Sequence, residues 1–192
     1  MSKQFDLRFG IIALLIFFAA FSRLIPHPFN FTPVGGMALF GAAYFTKKYW
    51  AFIIPLAAMF VSDLIINNLV YPVIYPEYYE GFTLMTQGWY WMYGSFALIA
   101  LLGMTVLKKI KIPTLIASSL GASIIFFVIT NFGSWASGIM YPMNMTGLMA
   151  AYTAGIPFFW NTIAGDLFYV GVLFGSFELV KMQFPRLATV QA

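Results

Sequence analysis

The chain of 192 residues contains no cysteine and one histidine, and only 8% of its residues are charged. Without cysteine there can be no disulfide, no thiolate metal site and no cysteine nucleophile. A single histidine rules out bis-histidine haem ligation within one chain. No HExxH, GxSxG or Walker loop occurs, so the sequence carries no signal of an enzyme, and any ATP coupling must come from a partner. No catalytic residue, metal site or cofactor is expected. The scarcity of charge excludes more. Soluble domains average about 25% charged residues. A chain that is 61% hydrophobic cannot cover a water-facing surface with the few polar groups it has.

What is present is a series of apolar runs: Phe9–Leu24, Pro33–Phe45, Tyr49–Tyr71, Trp89–Leu107, Ile112–Trp135 and Ile156–Val180. A spanning helix needs about 20 mostly apolar residues. Six such helices occupy most of the chain, which predicts one all-α transmembrane domain over residues 1–192. The second run is short and rich in Gly and Ala, as a helix of little tilt or one tucked between others would be. Lys3 and Arg8 before the first run, with Ala20-Phe21-Ser22 after it, loosely resemble a secretory leader. The charge distribution fits an uncleaved first helix better.

The net charge is +4, and in a soluble protein nucleic acid would come to mind. Here the basic residues sit in small groups between the runs. Lys3, Arg8, Lys47, Lys48, Lys108, Lys109, Lys111, Lys181 and Arg186 all fall on one side of a six-span path. Only Arg23 falls on the other, with Glu77 and Glu80. The positive-inside rule then places both termini in the cytoplasm and predicts an integral protein of a bacterial inner membrane, with lipid and not nucleic acid as its surroundings. The outer connections Ile25–Thr32, Pro72–Gly88 and Ser137–Gly155 are long and aromatic, as lids or binding loops are. Trp89, Tyr90, Trp91 and Tyr93 suit an interfacial belt, with stacking as the alternative role. Small residues four apart (Ala38 and Ala42, Ala117 and Gly121, Ser118 and Ala122, Gly171 and Gly175) suggest close packing inside a monomer.

Ionisable groups inside a membrane are costly and mark functional positions. Arg23 lies fifteen residues beyond Arg8, Asp63 fifteen beyond Lys48, and Asp166 fifteen before Lys181. At 1.5 Å per residue all three sit about 22 Å above the inner boundary, in one layer. Asn67 is four residues from Asp63, on its face. Asn131 and Asn161 lie near the same level. One Arg and two Asp leave a surplus negative charge, which calls for a proton, a cation or a ligand. Arg23 should pair with Asp63 or Asp166. His27 and Asn30 join the candidate substrate-binding set (Arg23, His27, Asn30, Asp63, Asn67, Asn131, Asn161, Asp166) from the proline-rich first outer loop. That loop is expected to fold over the bundle as a lid. Thr32 is placed to cap the second helix and Pro33 to take its first position.

The segment R-L-I-P-H-P-F-N-F-T-P-V-G-G from Arg23 to Gly36, followed by A-L-F-G-A-A-Y-F, resembles an uncharacterised family of small bacterial six-helix membrane proteins. In size, inner termini, short inner loops and long outer loops the chain is similar to the S components of energy-coupling-factor vitamin transporters. That resemblance implies a vitamin-like ligand enclosed by the outer loops and outer helix halves. It also implies a transmembrane coupling partner met through an AxxxA pattern in the first helix. This chain departs from the pattern, since I-I-A-L-L-I-F-F-A-A-F-S contains no AxxxA. It also lacks the cysteine with which cobalamin carriers of similar shape meet their cobalt. The leading expectation is a small-molecule binding and transport protein of S-component type. The alternatives are an ion- or proton-coupled carrier using Asp63 and Asp166, and a membrane assembly factor whose polar layer is only packing. A cavity roofed by the outer loops separates the first of these from the last.

Overall fold

A computed structural model describes residues 7–79 and 81–187. Lys3, Glu80 and the side chain of Arg186, which entered the charge count, lie outside the described residues. The helices are α1 (Leu7–Phe21), prolonged by a 3-10 turn (Ser22–Leu24), α2 (Val34–Tyr44), α3 (Trp50–Ile65), α4 (Tyr71–Ile74), α5 (Trp89–Val106), α6 (Ile112–Ala136) and α7 (Met145–Gln183). No strand occurs among the described residues. Five helical stretches, 7–24, 50–74, 89–106, 112–136 and 145–183, are long and apolar enough to cross a membrane. The sixth expected span, α2, is a shorter apolar helix of 11 residues, about 16 Å long against a hydrocarbon core of about 30 Å.

The long helices form a closed ring around the short one. α1 packs on α3, α3 on α5, α5 on α6, α6 on α7 and α7 on α1, while α2 touches all five. Ten of the eleven α2 residues are buried, so it has no polar face. Its small residues let neighbours close in. A Cβ on Gly41 would press on Pro55 of α3, and one on Gly103 of α5 would press on Ala42. Phe40 fills the remaining side, edge-on to Phe174 and Phe177 of α7. In lipid such packing, and not an apolar driving force, holds helices together.

Two departures from the expected runs have local causes. α3 does not end at Ile65 but widens into a π turn, Ile66–Val70, whose last bond runs from Tyr71 N–H to Ile66 C=O. Pro72 follows at once. Its ring would collide with the carbonyl four residues back in a regular helix, and a widened turn avoids this. Likewise the third outer connection shrinks to residues 137–144, because α7 begins at Met145. Asn144 accepts a hydrogen bond from Gly147 N–H at 2.9 Å and starts the helix.

The small-residue pairs divide. Ala38, Ala42, Ser118 and Ala122 are buried. Gly171 and Gly175 of α7 face open space, with no atom that an added Cβ would meet within 4 Å. Internal packing does not account for that pair.

Candidate functional site

The charged layer separates into two closed clusters. Arg23 leaves the 3-10 turn after α1, and its Nη2 meets Asp63 Oδ1 at 2.7 Å. Its Nη1 donates to Ser62 Oγ at 2.7 Å. Ser62 can accept because it spends its own proton on the Met59 carbonyl. Tyr93 Oη donates to Asp63 Oδ2 at 2.9 Å, bringing in α5. Both side chains of the ion pair are 11% exposed, so the pair is largely withdrawn from its surroundings and charge-balanced within α1, α3 and α5.

Asp166 stands apart on α7, 2% exposed. Ser123 Oγ donates to its Oδ2 at 2.6 Å, and the Gly35 backbone N–H donates to it as well. Gly35 is the second residue of α2, whose first N–H groups have no partner within the helix. The cap expected from Thr32 is not made; no side chain of the segment's own caps α2. Asp166 supplies an acceptor from across the bundle, at the positive end of the helix dipole. A Cβ on Gly35 would overlap this carboxylate, so glycine is what lets the two meet. At the other end of α2, Arg8 Nη2 donates to the Tyr44 carbonyl at 3.2 Å. Tyr44 Oη donates to Glu178, which also pairs with Lys181 at 2.6 Å. An acidic side chain from α7 and a basic one from α1 therefore sit at the two ends of the central helix.

The first outer loop lies along α7. Asn161 Nδ2 donates to the Phe29 carbonyl at 2.9 Å, Phe29 meets Phe158 edge-on, and Phe31 packs on Phe168 and Tyr169. Asn30 takes a left-handed conformation with φ 63°. His27 is exposed, with Nδ1 2.9 Å from the Pro28 carbonyl. Asn67 is buried in the π turn. Its neighbour Asn68 clasps the second outer loop by donating to Thr83 C=O at 2.9 Å and accepting from Thr83 N–H at 2.8 Å. Tyr71 meets Tyr75 edge-on and Tyr79 at a tilt. Burial among these rings pushes the Tyr79 phenol above its ordinary value, and Tyr71 and Tyr75 add to the effect.

A cavity of about 730 Å³ opens on the other flank of the ring, between the start of α5, the C-terminal half of α6 and the first half of α7. All three outer connections reach it, through Asn30, Gln87 and Met140. Its floor is Thr162 and Phe126. Each lies about one turn beyond the Asp166–Ser123 contact that marks the beginning of α2. The cavity therefore begins about one turn past the start of α2 and lies between α5, α6 and α7, with no lining residue from α1 or α3. Seven of the lining side chains are aromatic, and none of the lining residues is Asp, Glu, Lys, Arg or His.

Of the eight residues expected to share one site, Asn30 and Asn131 line this cavity. Arg23 and Asp63 close on each other, Asp166 holds α2, and Asn161 holds the first loop. Trp91, expected in the interfacial belt with stacking as its alternative role, lines the cavity, as do Phe127, Phe159 and Thr130, which no motif marked. The legible signal for two of the walls was glycine. A Cβ on Gly133 would overlap the Trp91 ring, and one on Gly155 would overlap the Asn131 amide. Each glycine thus seats a lining side chain that comes from the facing helix.

Residues 3–187 match the family of unknown function DUF6580, and the chain belongs to that family. No curated protein and no solved structure matches it.

Proposed function

We propose that the chain is a small-molecule binding and transport protein, of the S-component type, that crosses a bacterial inner membrane six times with both termini in the cytoplasm. α2 supplies the sixth crossing together with the extended segment before it. Backbone outside a helix is tolerated at membrane depth where it is buried in protein. Phe31 and Thr32 are half-buried, with their backbone against Gly165 of α7. The nine-to-one segregation of basic residues sets the orientation. In keeping with it, Arg8, Lys48 and Lys181 gather around the C-terminal end of α2.

The observation that carries the reading is the cavity. Its volume falls in the range of small-molecule sites, its walls are aromatic with a few polar groups, and three outer loops converge on it. A packing or assembly factor has no need of such a space. Native mass spectrometry of the full chain, released from membranes of cells grown in rich medium, tests this. A bound small molecule is expected, and Gly155→Leu should remove it, because the added side chain displaces Asn131 into the cavity. A bare mass for the unsubstituted chain, with no small molecule in the solvent extract, would sink the reading.

Asp166 favours coupling to an ion or proton as a second reading. It lies one turn beneath Thr162 on the same face of α7. Under that reading Asp166→Asn abolishes dependence of uptake on the ion gradient while leaving binding intact.

A further inference from the structure

We infer that the cavity selects an uncharged aromatic molecule bearing N–H or O–H groups, and rejects anions. The inference rests on the cavity being the ligand site.

Three features of the lining lead to this class. The first is the lack of any charged side chain among the lining residues. Arg23, the one basic residue on the outer side of the proposed topology, is committed to Asp63. A carboxylate or phosphate entering the cavity would lose hydration and find no counter-charge.

The second feature is the direction of the hydrogen bonds already made. Thr130 Oγ1 donates to Phe126 C=O, Thr162 Oγ1 to Phe158 C=O, Ser134 Oγ to Thr130 C=O and Asn131 Nδ2 to Phe127 C=O. A hydroxyl has one proton and two lone pairs, so each of these hydroxyls has given its only proton to its own helix and keeps accepting capacity. Asn131 likewise keeps its carbonyl oxygen. The α6 and α7 walls therefore offer chiefly acceptors to the N–H or O–H groups of a ligand, while the second Asn131 amide proton and the indole N–H groups of Trp89 and Trp91 can donate.

The third feature is the rings. Phe127 and Phe159 stand 4.7 Å apart, and Trp91 is held on Gly133 and against Phe132. Flat faces prefer offset or edge contact with another ring. Rings and acceptor oxygens also attract a cation. With no carboxylate in the lining, however, a full positive charge loses its hydration without recovering it.

Four anthracenes, substituted alike on the central ring, separate these terms: the hydroxymethyl, methyl, carboxylate and aminomethyl compounds. The full chain in lipid nanodiscs is titrated with each, and binding is read as energy transfer from tryptophan to anthracene, with empty discs as the reference. Trp89 and Trp91 line the cavity and serve as donors. The alcohol should bind saturably and about tenfold more tightly than the methyl compound and than either ion, the worth of one well-made hydrogen bond or one unrecovered hydration. Thr162→Val, which keeps the volume and removes an acceptor, and Asn131→Leu should each narrow the gap between alcohol and methyl compound. Equal or tighter binding of the carboxylate or the ammonium, abolished by Gly155→Leu, would overturn the ligand class and leave the small-molecule reading standing. Equal binding of alcohol and methyl compound would overturn the requirement for donors. Absence of saturable binding by all four would overturn both the class and the reading beneath it.

Discussion

Asp63 and Asp166 look alike in the sequence, each a carboxylate inside an apolar run, but their surroundings give them different weight. Asp63 balances a guanidinium, and removing one partner of a buried pair leaves the other charge uncompensated. Asp63→Asn should therefore lower stability by about 3–5 kcal/mol. Asp166 balances a helix end. Its substitution by Asn keeps an acceptor for Ser123 and Gly35 and loses only the charge, which should cost about 1–2 kcal/mol. Chemical denaturation of both variants in one detergent decides between them. Equal losses would mean that Asp166 has an ionic partner the described residues do not include. That Arg23 would pair with one of the two acids was legible, because an Arg cannot shed its proton and must be met. Which acid it meets was not legible, because depth along the helices is the same for both and only the order of helices around the ring separates them.

Among the elements, α2 shows best how length and composition translate into role. Eleven Gly- and Ala-rich residues with no polar face fit a helix of little tilt or an enclosed one, and the ring encloses it. The π turn was less legible. Pro72 announced a disturbance, but whether the chain would break or widen depended on what the displaced residues could bind. Asn68 finds both backbone groups of Thr83, and this clasp orders the second outer loop. In Asn68→Ala the Thr83 amide loses its acceptor, so deuterium uptake in a peptide covering Gly81 to Thr86 should accelerate by at least tenfold. Unchanged uptake would show that the tyrosine cluster alone holds the loop. The early start of α7 was readable in retrospect from Asn144, a strong N-cap residue followed by helix-compatible residues. Gly147 and Gly155 in the same stretch point instead to a loop. Gly155 is tolerated there because it packs on Asn131 from the neighbouring helix.

At the scale of the molecule, five long helices around a half-length hub leave a cavity between α5, α6 and α7 past the start of α2. The proposed orientation has a direct check, since the natural chain has no cysteine to interfere. A single cysteine at Tyr78, which is exposed between α4 and α5, should react with a membrane-impermeant maleimide on intact cells. One at Lys109, exposed between α5 and α6, should react only after permeabilisation. The reverse pattern would invert the molecule in the membrane.

The sequence alone determined that the chain is helical and apolar enough to live in lipid, because those properties are sums over local composition and do not depend on which helix neighbours which. It left open whether the short α2 run is a helix of little tilt or one tucked between others, because an all-apolar helix is stable against lipid as well as against protein. Only the tertiary structure decided that the charges of the outer layer close on themselves and that the open space lies elsewhere, against neutral and aromatic walls. The physical reason is that a charge in a low-dielectric bundle takes the nearest counter-charge or helix end, and nearness here is set by the ring order of α1, α3, α5, α6 and α7. That order brings Arg23 to Asp63 and Gly35 to Asp166, and leaves Trp91 and Asn131 lining the space beyond the hub.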